Sequence, residues 1–138
     1  MGTLNYKILD CKTLDYKTHK VLISMFIRAW HPKLIELLVW NTIRYSTNTI
    51  TCAARDTKIY EGDSGIHMTN PLRAFDLRSR DYPDPEAIAA DINSAWCYDP
   101  ARPHFKVCVY HDTGQGAHFH LQIHPNTVYK NQNMEVVK

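Results

Sequence analysis

Two runs of strand-forming residues, Phe105–Tyr110 and Ala117–Ile123, flank the short link Asp112-Thr113-Gly114-Gln115-Gly116. A Gly-rich connection of that length between two β-branched and aromatic runs predicts an antiparallel hairpin. Side chains alternate along a strand, so His118 and His120 share one face while Phe119 takes the other. Two further runs extend the sheet. Thr49–Ala53 is alternating and β-branched, and Leu72–Leu77 places Ala74, Asp76 and Arg78 on one face.

Helical signals lie between these strands. Pro32 opens a segment in which Leu34, Ile35, Leu37, Leu38 and Ile43 recur at helical spacing, ending near Ser46. Asp84-Pro85-Glu86 combines a cap, a first-turn Pro and a first-turn acid, and Ile88, Ala89, Ile92, Ala95 and Trp96 supply an apolar face. Val21–Ile27 reads equally as a strand or a short helix, and residues 55–71 read as loop. Trp40 and Trp96 are expected in the core. The prediction is an α+β fold: helices on a small, mostly antiparallel sheet. With 138 residues, one domain covers 1–138, with 1–30 hard to assign and 126–138 a loosely held tail.

A net charge of +2 argues against a nucleic-acid binder working through phosphate attraction. No basic region leads into an apolar stretch at the N-terminus, and Val21–Trp30 is too short and too interrupted to span a bilayer, so neither a secretory leader nor a membrane anchor is expected. Cys11, Cys52, Cys97 and Cys108 lack C-x-x-C spacing. Cys52 and Cys108 read as small buried hydrophobes, kept reduced.

Five of the eight histidines, His104, His111, His118, His120 and His124, crowd the C-terminal part of the chain. Two imidazoles side by side on a sheet face are costly to bury alone and begin a metal site, although a His-x-His strand also suits a hydrogen-bonded surface pair. A catalytic zinc needs three protein ligands. His67, in the loop that enters the next strand, and Asp76, an acid between Phe75 and Leu77, are the candidates to complete the set. His104 and His124 read as surface residues, and His19 and His31 carry no signal.

The segments Ser64-Gly65-Ile66-His67, Arg73-Ala74-Phe75-Asp76-Leu77-Arg78 and Ala117-His118-Phe119-His120 occur in an order that resembles the zinc peptidases that include D-Ala-D-Ala carboxypeptidases and phage L-Ala-D-Glu endopeptidases, whose fold the zinc-binding domain of hedgehog signalling proteins shares. The resemblance covers roughly residues 34 to 124. It implies zinc held by His67, Asp76 and His120, and Arg55 polarising a substrate carbonyl. The chain departs from the family pattern twice. His67 and Asp76 are nine residues apart, longer than the family spacing, and no Glu lies between Glu86 and Glu135 to act as the family's general base.

The resemblance thus leads to zinc-assisted hydrolysis of a peptide bond in bacterial peptidoglycan, by an endolysin-like, phage-derived enzyme. His118 and Arg55 would stabilise the oxyanion, and either Asp112 or His111 would take the proton. Arg73 and Arg78 would recognise carboxylates of the wall peptide. The expected enzyme is a monomer without nucleic-acid or membrane partners. It would be made in a host cytoplasm and would act on the cell wall or within a virion. The alternative is a non-catalytic zinc-binding module of the same fold.

Overall fold

Thr18, His31 and Asp84 each cap a helix by accepting a hydrogen bond from a first-turn amide: Thr18 Oγ1 from Val21 at 3.3 Å, His31 Nδ1 from Lys33 at 3.1 Å, and Asp84 Oδ1 from Ala87 at 3.2 Å. The computed structural model that shows this describes residues 6–8, 12–45, 47–114 and 116–130. The helices are α1 (His19–Phe26), α2 (Pro32–Arg44) and α3 (Pro85–Ala95), the last two with Pro in the first turn as expected. Val21–Ile27 therefore resolves as a helix through Phe26.

Strands β1 (Tyr6–Ile8), β2 (Lys12–Tyr16), β3 (Thr47–Cys52), β4 (Ala74–Arg78), β6 (Cys108–Asp112) and β7 (Ala117–Gln122) form one sheet in the order β1-β2-β3-β4-β7-β6. Among the described strands of this sheet, only β2 and β3 pair in parallel. The fold is α+β, and β6 and β7 make the predicted antiparallel hairpin. Gly114 and Gly116 turn it at φ 102° and 96°, a left-handed region that glycine enters without steric cost.

A second, two-stranded sheet pairs β5 (Trp96–Cys97) with β8 (Val128–Tyr129). Thr127 is buried and donates to the Tyr98 carbonyl, and the Lys130 amide donates to that of Ala95. The chain is thus held as far as Lys130, which corrects the expectation of a loose tail from 126. Residues 131–138, like Cys11, Ser46 and Gln115, lie outside the described residues.

One sheet face builds the core. Phe75 and Leu77 of β4, Phe119 and Leu121 of β7, and Ile50 of β3 share a buried cluster with Leu34 and Leu37 of α2 and Ile92 of α3. Trp30 stacks on Phe75 with centroids 5.6 Å apart, and Trp40 meets Trp96 edge-on at 6.0 Å. Leu34 is 0% exposed and its neighbour Ile35 is 48% exposed. Leu34→Ala should cost ~2–5 kcal/mol and Ile35→Ala within ~0.5, read from denaturant midpoints.

Candidate metal centre

Strand register puts the chemistry in rows on the opposite sheet face. Asp76 pairs directly with His120, and Arg78 with His118, which in turn pairs with His111. A register irregularity in β3 adds the third column: Ile50 pairs with core-facing Leu77, but Cys52 pairs with Asp76. The extra residue between them turns Cys52 away from the face of Ile50.

His67 reaches the same point from a loop. Asp63 orders that loop by accepting from the amides of Ile59 and Gly65 and from Arg55 Nη2. These amide bonds and the Arg55 charge hold its carboxyl below the usual range, against the opposing effect of burial. Gly65, at φ 81°, then leads into a short 3₁₀ turn, Ile66–Met68, that carries His67 inward to 2% exposure. Arg28 Nη1 ties the loop down by donating to the carbonyls of both Arg55 and His67.

His67, Asp76 and His120 converge. Asp76 Oδ1 lies 3.2 Å from His67 Nε2 and 3.0 Å from His120 Nδ1, and the two nitrogens are 3.3 Å apart. A tetrahedral ion with bonds of ~2.0–2.1 Å separates its ligand atoms by about 3.3 Å, so this triangle has the dimensions of one face of such a site.

The tautomers sharpen the point. His67 Nδ1 lies 2.7 Å from the Ala53 carbonyl, which only accepts, so Nδ1 carries the proton and Nε2 the lone pair. Gln122 Nε2 donates to the Lys106 carbonyl at 2.8 Å, which fixes the amide and leaves Oε1 3.0 Å from His120 Nε2. That nitrogen is therefore a donor, and His120 Nδ1 is the lone-pair atom. Three acceptors face one another, each costing ~1–3 kcal/mol if left unsatisfied. A cation between them removes that cost, whether a metal ion or protons that make imidazolium. Burial opposes ionisation of Asp76, but when protons fill the site, hydrogen bonds from the His120 and His67 imidazolium rings override it and hold the carboxyl well below its ordinary range. Gln122→Leu should weaken metal binding ~10–100-fold in a chelator competition, because it frees the His120 tautomer.

Cys52, read from sequence as a buried hydrophobe, offers a second grouping: Cys52, His67 and Asp76 present ligand atoms within 4.8 Å of one another. Its Sγ lies 3.9 Å from His67 Nδ1, the nitrogen already committed to Ala53, and accepts from Arg55 Nη1 at 3.6 Å. Burial, with the Asp76 charge, pushes the thiol up to about 11. The triangle with His120 is the better-formed site. Cys108 behaves as expected, 1% exposed with its thiol pushed up to about 12 by burial.

The centre opens into a cleft of about 970 Å³ walled by α1 on one side and the β6–β7 hairpin on the other. Arg55, Arg78, His111 and His118 line it. His111 is half-buried, and burial followed by the neighbouring charges of His118 and His120 lowers its pKa, favouring the neutral ring. Arg55 Nε is buried without a partner among the described residues.

Two expectations fail on geometry. Asp112 pairs with Ala117, one step out of phase with His111, and its Oδ1 accepts from the amides of Gly114 at 2.8 Å and Gly116 at 3.0 Å. It is an exposed turn residue, outside the cleft. Arg73 precedes β4, its amide donating to Thr69 Oγ1 and its carbonyl accepting from the Ile123 amide, and it does not line the cleft. His104 and His124 lie elsewhere, His104 against Phe105 and His124 against Tyr98. Sequence reading missed Cys52 and Gln122. Alternation from His118 and His120 to Gln122 was the available signal for the second.

Family profiles, curated proteins and solved structures give no match to this chain. Among the described residues, no helix is long and apolar enough to cross a membrane.

Proposed function

We propose that the protein is a zinc peptidase that hydrolyses a peptide bond in bacterial peptidoglycan, with His67, Asp76 and His120 as metal ligands. The reading is carried by the convergence of three acceptor atoms at 3.0–3.3 Å beside an open cleft, with both imidazoles oriented from behind. Two imidazoles and a carboxylate suit zinc, leaving room for a fourth ligand. The wall-peptide substrate and a phage origin rest on the resemblance of the Ser64–His67, Ala74–Asp76 and His118–His120 segments to peptidoglycan-cleaving enzymes.

Zinc, when bound, supplies a Lewis acid and acidifies water toward neutrality. The chain supplies the remainder. His118 Nδ1 donates to the Gly116 carbonyl at 3.0 Å, so its Nε2 is the lone-pair atom and takes the proton, with Asp76 Oδ2 at 3.7 Å to stabilise the imidazolium. His111, ring to ring with His118 at 4.8 Å, relays that proton to the leaving amine. Arg55 supports the polarised carbonyl, and Arg78 at the cleft wall receives a substrate carboxylate.

Incubation of the untagged protein with purified cell walls tests this, with release of new amino groups as the readout. Release that stops with chelator and returns with zinc is expected; zinc binding without release would leave a non-catalytic zinc module. Asp112→Asn should keep both its metal and, within about twofold, its rate of amine release, since its carboxylate serves only the turn.

A further inference from the structure

A second pair of imidazoles stands in the cleft next to the first. His111 and His118 are direct cross-strand partners, so their imidazoles rise from the same sheet face, with centroids 4.8 Å apart. The Gly116 carbonyl fixes the proton of His118 on Nδ1 and leaves Nε2 a lone pair. That atom faces Asp76 Oδ2 at 3.7 Å, too far for a hydrogen bond. Two metal–ligand bonds of ~2.1 Å at the tetrahedral angle span about 3.4 Å, so the pair would close by roughly 0.3 Å on a shared ion. Asp76 thus divides its carboxylate: Oδ1 serves His67 and His120, and Oδ2 faces His118. A carboxylate shared between two ions ~3.5–4 Å apart is a recurrent arrangement in metallohydrolases.

We infer that His111, His118 and Asp76 Oδ2 form a second, weaker site for a zinc-class divalent cation, and that filling it switches the hydrolase off. Two features make it the weaker position. Its imidazoles are half-buried where His67 is fully buried, and Arg78, the cross-strand partner of His118, brings a positive charge to the same row. Inhibition rests on the function proposed above: an imidazole whose lone pair holds a cation cannot accept or relay a proton. Zinc would then act on this protein at two levels, required at the first equivalent and inhibitory at the second.

The test is a zinc titration of the full, untagged, metal-stripped chain against a chromophoric chelator, run in parallel with amine release from purified walls. Wild type should take up two equivalents in separate steps. His111→Ala and the milder His111→Gln should keep the tight step and lose the weak one, and His67→Ala should lose the tight one. Amine release by the one-equivalent form should fall ~100-fold as the second binds, the lower end of what general acid–base groups contribute. Saturation of wild type at one equivalent, or a second step that survives both His111 variants, would overturn the inference. If that single equivalent is lost in His67→Ala, the hydrolase reading stands and only the second site falls; no zinc uptake at all overturns both.

Discussion

Replacing His120 by alanine should remove the tight zinc equivalent and abolish hydrolysis together. His120 supplies one corner of the acceptor triangle, and its partner in register, Asp76, would be left with a single imidazole. The affinity loss should exceed the ~10–100-fold that removing a supporting hydrogen bond costs. Stability gives an independent reading. Zinc at 100 times its dissociation constant stabilises the native state by ~2.7 kcal/mol, so added zinc should raise the melting temperature of wild type and leave His120→Ala unmoved. The pH dependence has a definite sign. Protons compete with zinc for the lone pairs of His67 Nε2 and His120 Nδ1, so affinity should fall on acidification. Asp76 is held well below the usual carboxylate range and so remains a carboxylate ligand.

The second large effect separates chemistry from metal binding. His118→Ala should retain the tight zinc equivalent and lose ~10²–10⁴-fold in turnover, the range expected for a positioned acid–base group. The Gly116 carbonyl commits His118 Nδ1 as a donor, so Nε2 accepts on the side of the cleft. Asp112, one residue along β6 from His111, should show no such loss, because alternation aims it away and the turn amides occupy it. Equal losses in His118→Ala and Asp112→Asn would trace the effect to the hairpin rather than to proton transfer.

What the sequence shows follows from how local each feature is. The Asp84 cap with Pro85, the Pro32 helix start and the Gly-rich hairpin are written in adjacent residues, and each appears in the structure where expected. The segment Val21–Ile27 is too short for its period to decide, and its capping by Thr18 settles it as helix. The first strand of the hairpin starts later than read, at Cys108, because the Phe105 amide is spent on a turn to the Arg102 carbonyl. Metal-site candidates could be named from residue type and order, but not their arrangement. That Asp76 stands opposite His120, and that a bulge turns Cys52 toward both, depends on register set by distant strands. The same holds for Asp112, which stands one step of alternation from His111 with its carboxylate taken by the turn amides, and for Arg73, which falls before β4 begins.

Metal-edge X-ray absorption on protein loaded with one equivalent of zinc bears most directly on the central claim, because two groupings of side chains share His67 and Asp76. The account predicts a shell of nitrogen and oxygen atoms at ~2.0–2.2 Å with the outer scattering of two imidazoles, unchanged in Cys52→Ser. A sulfur scatterer at ~2.3 Å that disappears in Cys52→Ser would place the ion on Cys52 and contradict it.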